Sequence, residues 1–372
     1  MSFDNNQQAF FALLRAGLWE KEACLSQYNN INFSAILRLA EEQSVVGLVA
    51  AGLEYVIDVK VPKSDVLQFV GQTLLVEAQN QSMNEYLTWL IEMLREEDIY
   101  AILVKGQGIA QCYERPLWRS SGDIDLLLSD NNYEKAKDVL IPLANEVECE
   151  FKSLKHIGIT MKGGMVVELH GVLHSRLSRR MDCVIDEVQY DVFYHGRVRS
   201  WQNGKSIVLL PASDNDVIII FSHIIKHFYI EGVGLRQICD WCRLLWKYRE
   251  SIDVELLETR IRKAGLMTEW KAFAALAVFW LGLPEEVMPF FDSRLRAKGE
   301  RIMEFVLETG NFGHNRNMKR SSIWFIGKIQ AAWFKMKDFA RHARLFPMDS
   351  VRFFLHYAFS GISVTRDRLK DK

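Results

Sequence analysis

The sequence predicts an α+β fold in which a small mixed β-sheet is flanked, before and after it in the chain, by helical regions. Up to about Tyr100, apolar residues recur every three or four positions, which is the spacing of helices. Short apolar runs separated by glycine-containing turns follow, as in strands. After Pro211 the helical spacing returns. We therefore expect three parts along the 372-residue chain: residues 1–98, 99–212 and 213–372.

The N-terminal part begins with the helical stripe Phe10, Leu13 and Leu14. The segment Lys60–Asp65, "KVPKSD", holds a proline and a serine that can cap a helix. We expect it to precede a long helix that ends near Glu97.

The middle part alternates strand and helix signals and ends in hairpins. "IYAILVKG" and "DIDLLL" read as strands, "GQGIAQCYE" and "DNNYEKAKDVLIPLA" as helices. "HIGITMKGGMVVELHGVLH" predicts two strands joined at Gly163–Gly164, and "RVRSWQNGKSIVLL" predicts a hairpin around Asn203–Gly204. Strands with an intervening helix, followed by hairpins, indicate a mixed sheet.

The composition is that of a globular protein, with 49% hydrophobic, 25% charged and 12% aromatic residues. A net charge of -1 does not favour a long nucleic acid as partner. The six cysteines in a chain without a secretory signal at its start are typical of reduced thiols, so we expect a cytoplasmic protein. The longest apolar runs are shorter than the roughly 20 residues that span a bilayer, so we expect no transmembrane helix.

Two aspartates, Asp123 and Asp125, stand one residue apart just before the apolar run Leu126–Leu128. Residues i and i+2 of a strand share a face, so their carboxylates would lie side by side and repel. The pair makes sense if a cation lies between them, or if it sits at a wet strand end. A third acid, Glu168, lies in a later apolar strand, where a carboxylate is costly unless ligated or exposed.

These carboxylates would lie near the glycine turn at Gly106 and Gly108, where the backbone can approach phosphate oxygens. Carboxylates at one sheet edge, together with phosphate, suit Mg²⁺. The order of motifs then resembles a known family: Lys105-Gly106, Arg119, Asp123-Ile124-Asp125 and Glu168-Leu169-His170.

The resemblance is to the DNA polymerase beta-like nucleotidyltransferase superfamily, most of all to its bacterial branch of largely uncharacterised nucleotidyltransferases. It is clear from about Ile99 to His174 and weaker in "HIIKHFYIEGVGLRQICDW". In the superfamily a glycine followed by serine usually opens the nucleotide site, whereas this chain has Gly106-Gln107.

The resemblance implies a two-metal, NTP-dependent transferase that uses Mg²⁺ or Mn²⁺. Asp123 and Asp125 would bind the metals, and Glu168 would bind one and help activate the acceptor. The implied nucleotide contacts, with ATP among the nucleotides, are Lys105, Gly106, Gln107, Gly108 and Arg119.

Further residues are candidates for the acceptor site or for supporting contacts. His170 shares a strand face with Glu168, and a later helical stretch would line the cleft facing the sheet with His223, Lys226, His227, Arg236 and Asp240. Other interpretations remain open for this helical stretch. Arg236 and Asp240 are four apart and could form a surface ion pair, and the two histidines could bind zinc together with Cys239 and Cys242.

Near the C-terminus, one helical stripe is apolar and its surroundings are basic. The stripe contains Phe325, Ile329, Trp333, Met336 and Phe339, and the basic residues are Lys328, Lys335 and Arg341. Such a helix packs on its own domain or lies on a membrane.

The sequence therefore predicts a metal-dependent nucleotidyltransferase whose acceptor is a hydroxyl or amine of a small molecule or protein. The alternative is a catalytically inactive nucleotidyltransferase fold that serves as a nucleotide-sensing or scaffold protein. The presence of Asp123, Asp125 and Glu168 together favours the enzyme.

Overall fold

The computed structural model describes residues 3–313 and 324–356. The N-terminal helices are α1 (Asn5–Trp19), α2 (Phe33–Glu42), α3 (Val46–Leu53) and α4 (Lys63–Glu96). α1 begins at a capping box, in which the Asp4 side chain accepts from the backbone of Gln7. α1 and α3 pack closely at Gly17, which has no side chain. A Cβ at this position would lie 1.8 Å from the backbone oxygen of Leu48. The long helix after "KVPKSD" is confirmed as α4.

The middle of the chain forms one seven-stranded sheet in the order β3-β4-β5-β2-β1-β7-β6. Its strands are β1 (Ile102–Val104), β2 (Ile124–Leu127), β3 (Ala144–Val147), β4 (His156–Met161), β5 (Val166–His170), β6 (Val198–Asn203) and β7 (Ser206–Pro211). β2 runs parallel to β5 and β1 parallel to β7, whereas the other pairs are antiparallel. The predicted mixed sheet and both hairpins are confirmed.

Three helices lie within this part: α5 (Gly106–Ala110), α6 (Asp130–Leu140) and α7 (Arg179–Tyr194). The sequence interpretation missed α7 and the short edge strand β3. Alternation along β2 sends Ile124 and Leu126 into a cluster with α4 and α6, whereas Leu127 faces the larger cluster on the other side of the sheet. Asp125 has the same parity as Leu127 and therefore faces the helices that follow.

The C-terminal helices are α8 (Ser213–Ile230), α9 (Leu235–Tyr248), α10 (Val254–Ala264), α11 (Met267–Leu281), α12 (Arg296–Thr309) and α13 (Trp324–Leu345), and residues 347–356 are also helical. Their core is aromatic: Phe221 packs against Trp270 with ring centroids 4.7 Å apart. The larger hydrophobic cluster contains residues of all three predicted parts, from Phe10 to Phe353. The division into residues 1–98, 99–212 and 213–372 therefore remains a proposal about segments along the chain, because all three contribute to one hydrophobic cluster.

The basic C-terminal helix is only partly described. The side chains of Phe325, Lys328, Ile329 and Trp333 lie outside the described residues. Further along, Arg341 pairs with Glu308 of α12, and the ring of Phe339 lies 4.9 Å from that of Phe354. This end of α13 therefore contacts its own chain.

None of the helices in the described part of the chain is long and apolar enough to cross a membrane. All six cysteines are free thiols, and Cys112, Cys239 and Cys242 are buried. Among the described residues, the groups with metal-binding geometry contain neither Cys239 nor Cys242. Cys239 and Cys242 of α9 are instead buried in the hydrophobic core.

Candidate active site

The three acidic residues meet because β2 lies between β1 and β5. In the parallel register of β2 and β5, Asp125 is the partner of Glu168. Asp123 precedes β2 by one residue, so alternation places it on the same face as Asp125. One carboxylate oxygen from each of Asp123, Asp125 and Glu168 lies within 4.8 Å of the other two. The structure thus brings together the carboxylates singled out by the sequence.

Lys105 follows β1 and reaches this cluster from a strained backbone. Its φ of 59° and ψ of -145° belong to a backbone region that residues other than glycine rarely adopt. From there its Nζ donates to Asp125 Oδ1 at 2.8 Å. Gly106, the next residue, also has a positive φ of 41°. The KG turn therefore directs the ammonium group at the buried carboxylate.

Two histidines complete the cluster from the neighbouring strands. His170 Nε2 lies 2.8 Å from Asp125 Oδ1 and 3.4 Å from Glu168 Oε2. His156 Nε2 lies 3.2 Å from the same Glu168 oxygen. The two imidazole rings stack with centroids 4.7 Å apart. His170, predicted as a supporting contact, touches two of the acids.

The pKa shifts of the acids differ because their neighbours differ. The charge of Asp125, with burial, raises the pKa of Asp123 to about 6. Burial alone would raise the pKa of Asp125, but Lys105 and His170 outweigh it and hold that pKa below its ordinary value. Likewise, hydrogen bonds from His156 and His170 overcome burial and lower the pKa of Glu168. Asp123 is therefore the acid whose charge is least compensated.

The unequal pKa shifts of the three acids indicate whether a cation fits between them. Carboxylate oxygens are the ligands that Mg²⁺ and Mn²⁺ prefer, and here they converge from adjacent strands. Mutual repulsion raises the pKa of Asp123, and a cation beside it would relieve that repulsion. The donor set and its charge therefore fit a divalent metal.

Arg119 and Asp240 form a buried ion pair that joins the sheet to α9. Arg119 Nε and Nη2 donate to the two oxygens of Asp240 at 3.0 and 2.6 Å. The hydroxyl of Tyr113 also donates to Asp240, at 2.8 Å. Arg236 Nη1 donates to the backbone oxygen of Ser120 at 3.1 Å. Asp240 is buried and pairs with Arg119, so it is not part of a surface ion pair, the alternative left open by its spacing from Arg236. Both arginines still line the cleft.

The wall opposite the carboxylates belongs to α8 and is basic. It presents His223, Lys226 and His227. Burial, and then the charge of Lys105, lower the pKa of Lys226, and burial lowers the pKa of both histidines. His227 Nδ1 lies 3.0 Å from Glu231 Oε2, and the two histidine rings are 4.2 Å apart. Burial, followed by the charge of Arg119, lowers the pKa of Arg236 to about 10.

The cleft between these walls has a volume of about 260 Å³. Its lining includes Lys105, Gly106 and the three acids, with Arg119, His170, His223, His227, Arg236 and Asp240 around them. The cleft has the three acids on its strand side, with Lys105 beside them, and the basic residues Lys226 and Arg236 on its helix side. Such an arrangement suits a ligand that combines a cation with an anionic group.

Two predicted nucleotide contacts lie elsewhere. The side chain of Gln107 is buried and donates to Asn80 of α4 at 2.8 Å. A Cβ at Gly108 would lie 2.6 Å from a methyl carbon of Leu210, so this glycine allows α5 to pack on β7. Neither Gln107 nor Gly108 is among the described residues that line the cleft.

Sequence reasoning missed His156. The signal was present, because a turn at Gly163–Gly164 pairs His156 with His170 across the hairpin. Lys226 was expected to line the cleft beside His223 and His227, and it does line it. Its place in the cleft depends on how α8 packs, which local spacing does not determine.

Comparisons with known proteins show the family to which the chain belongs. No curated protein and no solved structure matches the chain. A family model described as "Uncharacterised nucleotidyltransferase" matches residues 29–282, which include the whole sheet, the cleft and the helices α8 to α11. The match covers more than half of the chain, and the protein therefore belongs to the uncharacterised nucleotidyltransferase family.

Proposed function

We propose that the protein is a metal-dependent nucleotidyltransferase of the DNA polymerase beta-like type, which moves a nucleoside monophosphate from an NTP to a hydroxyl or amine of a small-molecule or protein acceptor. Family membership supports nucleotidyl transfer in general and a nucleoside triphosphate as substrate. The observation that carries the finer proposal is the convergence of Asp123, Asp125 and Glu168 opposite a basic wall.

The acids would hold the metal, Mg²⁺ or Mn²⁺, which when bound neutralises phosphate charge and favours ionisation of the acceptor. Lys105 and His170 keep Asp125 ionised, and His156 and His170 keep Glu168 ionised, so both are ready as ligands at neutral pH. On the other wall, Lys226 and Arg236 present positive charge to the anionic phosphates. A buried charge that gains a counter-charge recovers part of its desolvation cost.

In the reaction, the acceptor oxygen or nitrogen forms a bond to the α phosphorus and loses a proton. The bond between the α phosphorus and its bridging oxygen breaks, and pyrophosphate leaves. Positioning and charge neutralisation supply most of the rate in such transfers. A cleft with fixed charges on both walls provides both.

The test is the thermal midpoint of wild type and Asp123→Asn with each of the four NTPs, with and without Mg²⁺ or Mn²⁺. A ligand that binds only the folded state raises the midpoint. We expect a metal-dependent rise in wild type that Asp123→Asn lacks, and pyrophosphate release once an acceptor is supplied. Asp138→Asn is the matched control, because Asp138 is an exposed carboxylate on α6, outside the cleft.

Absence of any NTP-dependent shift in wild type, together with no pyrophosphate release from acceptor mixtures, would contradict the proposal. A metal-dependent nucleotide shift without pyrophosphate release would instead support the nucleotide-sensing alternative.

A further inference from the structure

We propose that the cleft contains a second, nitrogen-rich cation site, formed by His156, Glu168 and His170, which takes a first-row transition ion such as Zn²⁺ or Co²⁺ rather than Mg²⁺. The site shares Glu168 with the carboxylate cluster but does not depend on nucleotidyl transfer.

The first argument is the register of the sheet. His156 on β4 and His170 on β5 are direct partners, so both side chains stand on one face. Glu168 lies two residues before His170 and shares that face. One ligand atom from each of the three residues lies within 4.8 Å of the other two. The backbone therefore places the donors together without a loop.

The second argument is the direction of the rings. Both Nε2 atoms point at the same oxygen, Glu168 Oε2, at 3.2 and 3.4 Å. His156 stacks on Phe151 on one side and on His170 on the other, with centroid distances of 6.1 and 4.7 Å. Stacking limits ring rotation, so the nitrogens are held ready for a shared ligand.

The third argument is the chemistry of the donors. The group offers two imidazole nitrogens and one carboxylate oxygen, and Asp125 Oδ1 lies 2.8 Å from His170 Nε2 beside it. Imidazole suits Zn²⁺ and neighbouring late first-row ions such as Co²⁺, whereas Mg²⁺ and Mn²⁺ favour oxygen ligands. The two donor sets thus differ in preference: the nitrogen-containing set lies towards β4, and the all-oxygen set includes Asp123 before β2.

The competing explanation is that both histidines only donate hydrogen bonds that hold Glu168 ionised. The two explanations differ in metal binding by the protein alone. Tag-free protein, stripped with a chelator and dialysed, would be titrated with Co²⁺ without nucleotide, and the visible d–d absorption of nitrogen-ligated Co²⁺ would be recorded. Circular dichroism in the chelator would check that each variant is folded.

We expect one Co²⁺ per chain with a d–d band in wild type and competition by Zn²⁺. His156→Phe, which retains the ring stack, should weaken Co²⁺ binding by about tenfold or more, since even loss of a ligand's hydrogen-bond partner costs that much. His195→Phe is the control, because His195 is an exposed histidine paired with Asp191, outside the cleft. Its titration should match wild type.

Asp123→Asn separates this proposal from the proposed function. It removes a carboxylate of the all-oxygen set and leaves the three donors in place, so the Co²⁺ band should persist while the Mg²⁺-dependent nucleotide shift is lost. No d–d band in wild type, or equal Co²⁺ affinity in folded His156→Phe and wild type, would overturn the second site. If His156→Phe does not fold, His156→Gln takes its place with the same criteria.

Discussion

The two walls of the cleft are built in different ways. The acidic wall comes from neighbouring strands, and its members are fixed by β-sheet register, as in the pairing of Asp125 with Glu168. The basic wall comes from α8 and α9, and its residues reach the cleft through helix packing. On each wall like groups lie close together: Asp125 and burial raise the pKa of Asp123, and burial and the charge of His227 lower the pKa of His223.

The difference shows that the acidic wall depends on pairing between neighbouring strands, whereas the basic wall depends on packing between distant parts of the chain. The acidic wall is built from adjacent strands of one sheet, whereas the basic wall lies on helices, and the buried pair of Arg119 with Asp240 is a contact between α9 and the strand part of the chain. Substitutions on the acidic wall should change ligand binding and chemistry. Substitutions at the junction should change stability first.

The largest effect should come from Asp125→Asn. We expect loss of transferase activity by about a thousandfold or more, the scale seen when a main charge-stabilising group is removed. Because Asp125 is 4% exposed and binds both Lys105 and His170, the variant should also lose about 1–3 kcal/mol in free energy of unfolding. Pyrophosphate release and urea denaturation measure the two effects. Unchanged turnover would remove Asp125 from the catalytic site.

At the junction between the walls, Asp240→Asn should destabilise the fold by about 3 kcal/mol, since it leaves the buried guanidinium of Arg119 without a counter-charge. Urea denaturation measures the loss. The double variant Arg119→Met, Asp240→Leu removes both charges and should recover most of the stability. If the single and double variants are equally unstable, the loss in Asp240→Asn does not come from the unpaired charge of Arg119.

A pH series isolates the repulsion on the acidic wall. The folded-state pKa of Asp123 is about 6, above its ordinary value, so its contribution to stability is present at low pH and lost as pH rises through about 6. In chelator, wild type should therefore lose about 1–3 kcal/mol relative to Asp123→Asn between pH 4 and pH 7.5. Urea denaturation across this range measures the difference. Parallel stability curves would show that Asp123 is not strained by its neighbours.

The smallest effect concerns the strained turn. Lys105→Gly and Lys105→Ala both remove the ammonium group, but only glycine relaxes the positive φ of 59°. We expect the glycine variant to be more stable than the alanine variant by about 1 kcal/mol, even after the entropic cost of glycine. Thermal denaturation of the pair measures this. An alanine variant that is the more stable one would mean that the backbone carries no strain.

Much of the acidic wall could be predicted from the sequence because its residues lie in strands with clear apolar runs. The alternation that put Asp123 and Asp125 on one face is a property of the strand itself. By contrast, β3 is mostly exposed and lacks an alternating pattern, so no strand was expected there. α7 carried a readable signal, since Ser178 caps it and Met181, Val184, Ile185 and Val188 have helical spacing.

The residues of the basic wall were expected near the cleft, but the partners that position its helices could not be predicted, because these contacts join distant residues. Nothing near Arg119 indicates that its partner is Asp240, 121 positions later. In the same way, Gln107 follows the glycine of the KG turn, but its side chain is held by Asn80 of α4. The sequence suggested a ligand contact there, whereas helix packing determines where the side chain points.

The distance in sequence between Arg119 and Asp240 has a consequence for synthesis of the protein on the ribosome. The strands with all three acids emerge before α9 is made, so the carboxylate cluster can assemble while Arg119 still lacks its counter-charge. N-terminal segments fold first during synthesis. A chain that stalls or ends before Asp240 would leave the guanidinium of Arg119 without its counter-charge and the core without its last helices, and we expect chaperones to bind such a chain.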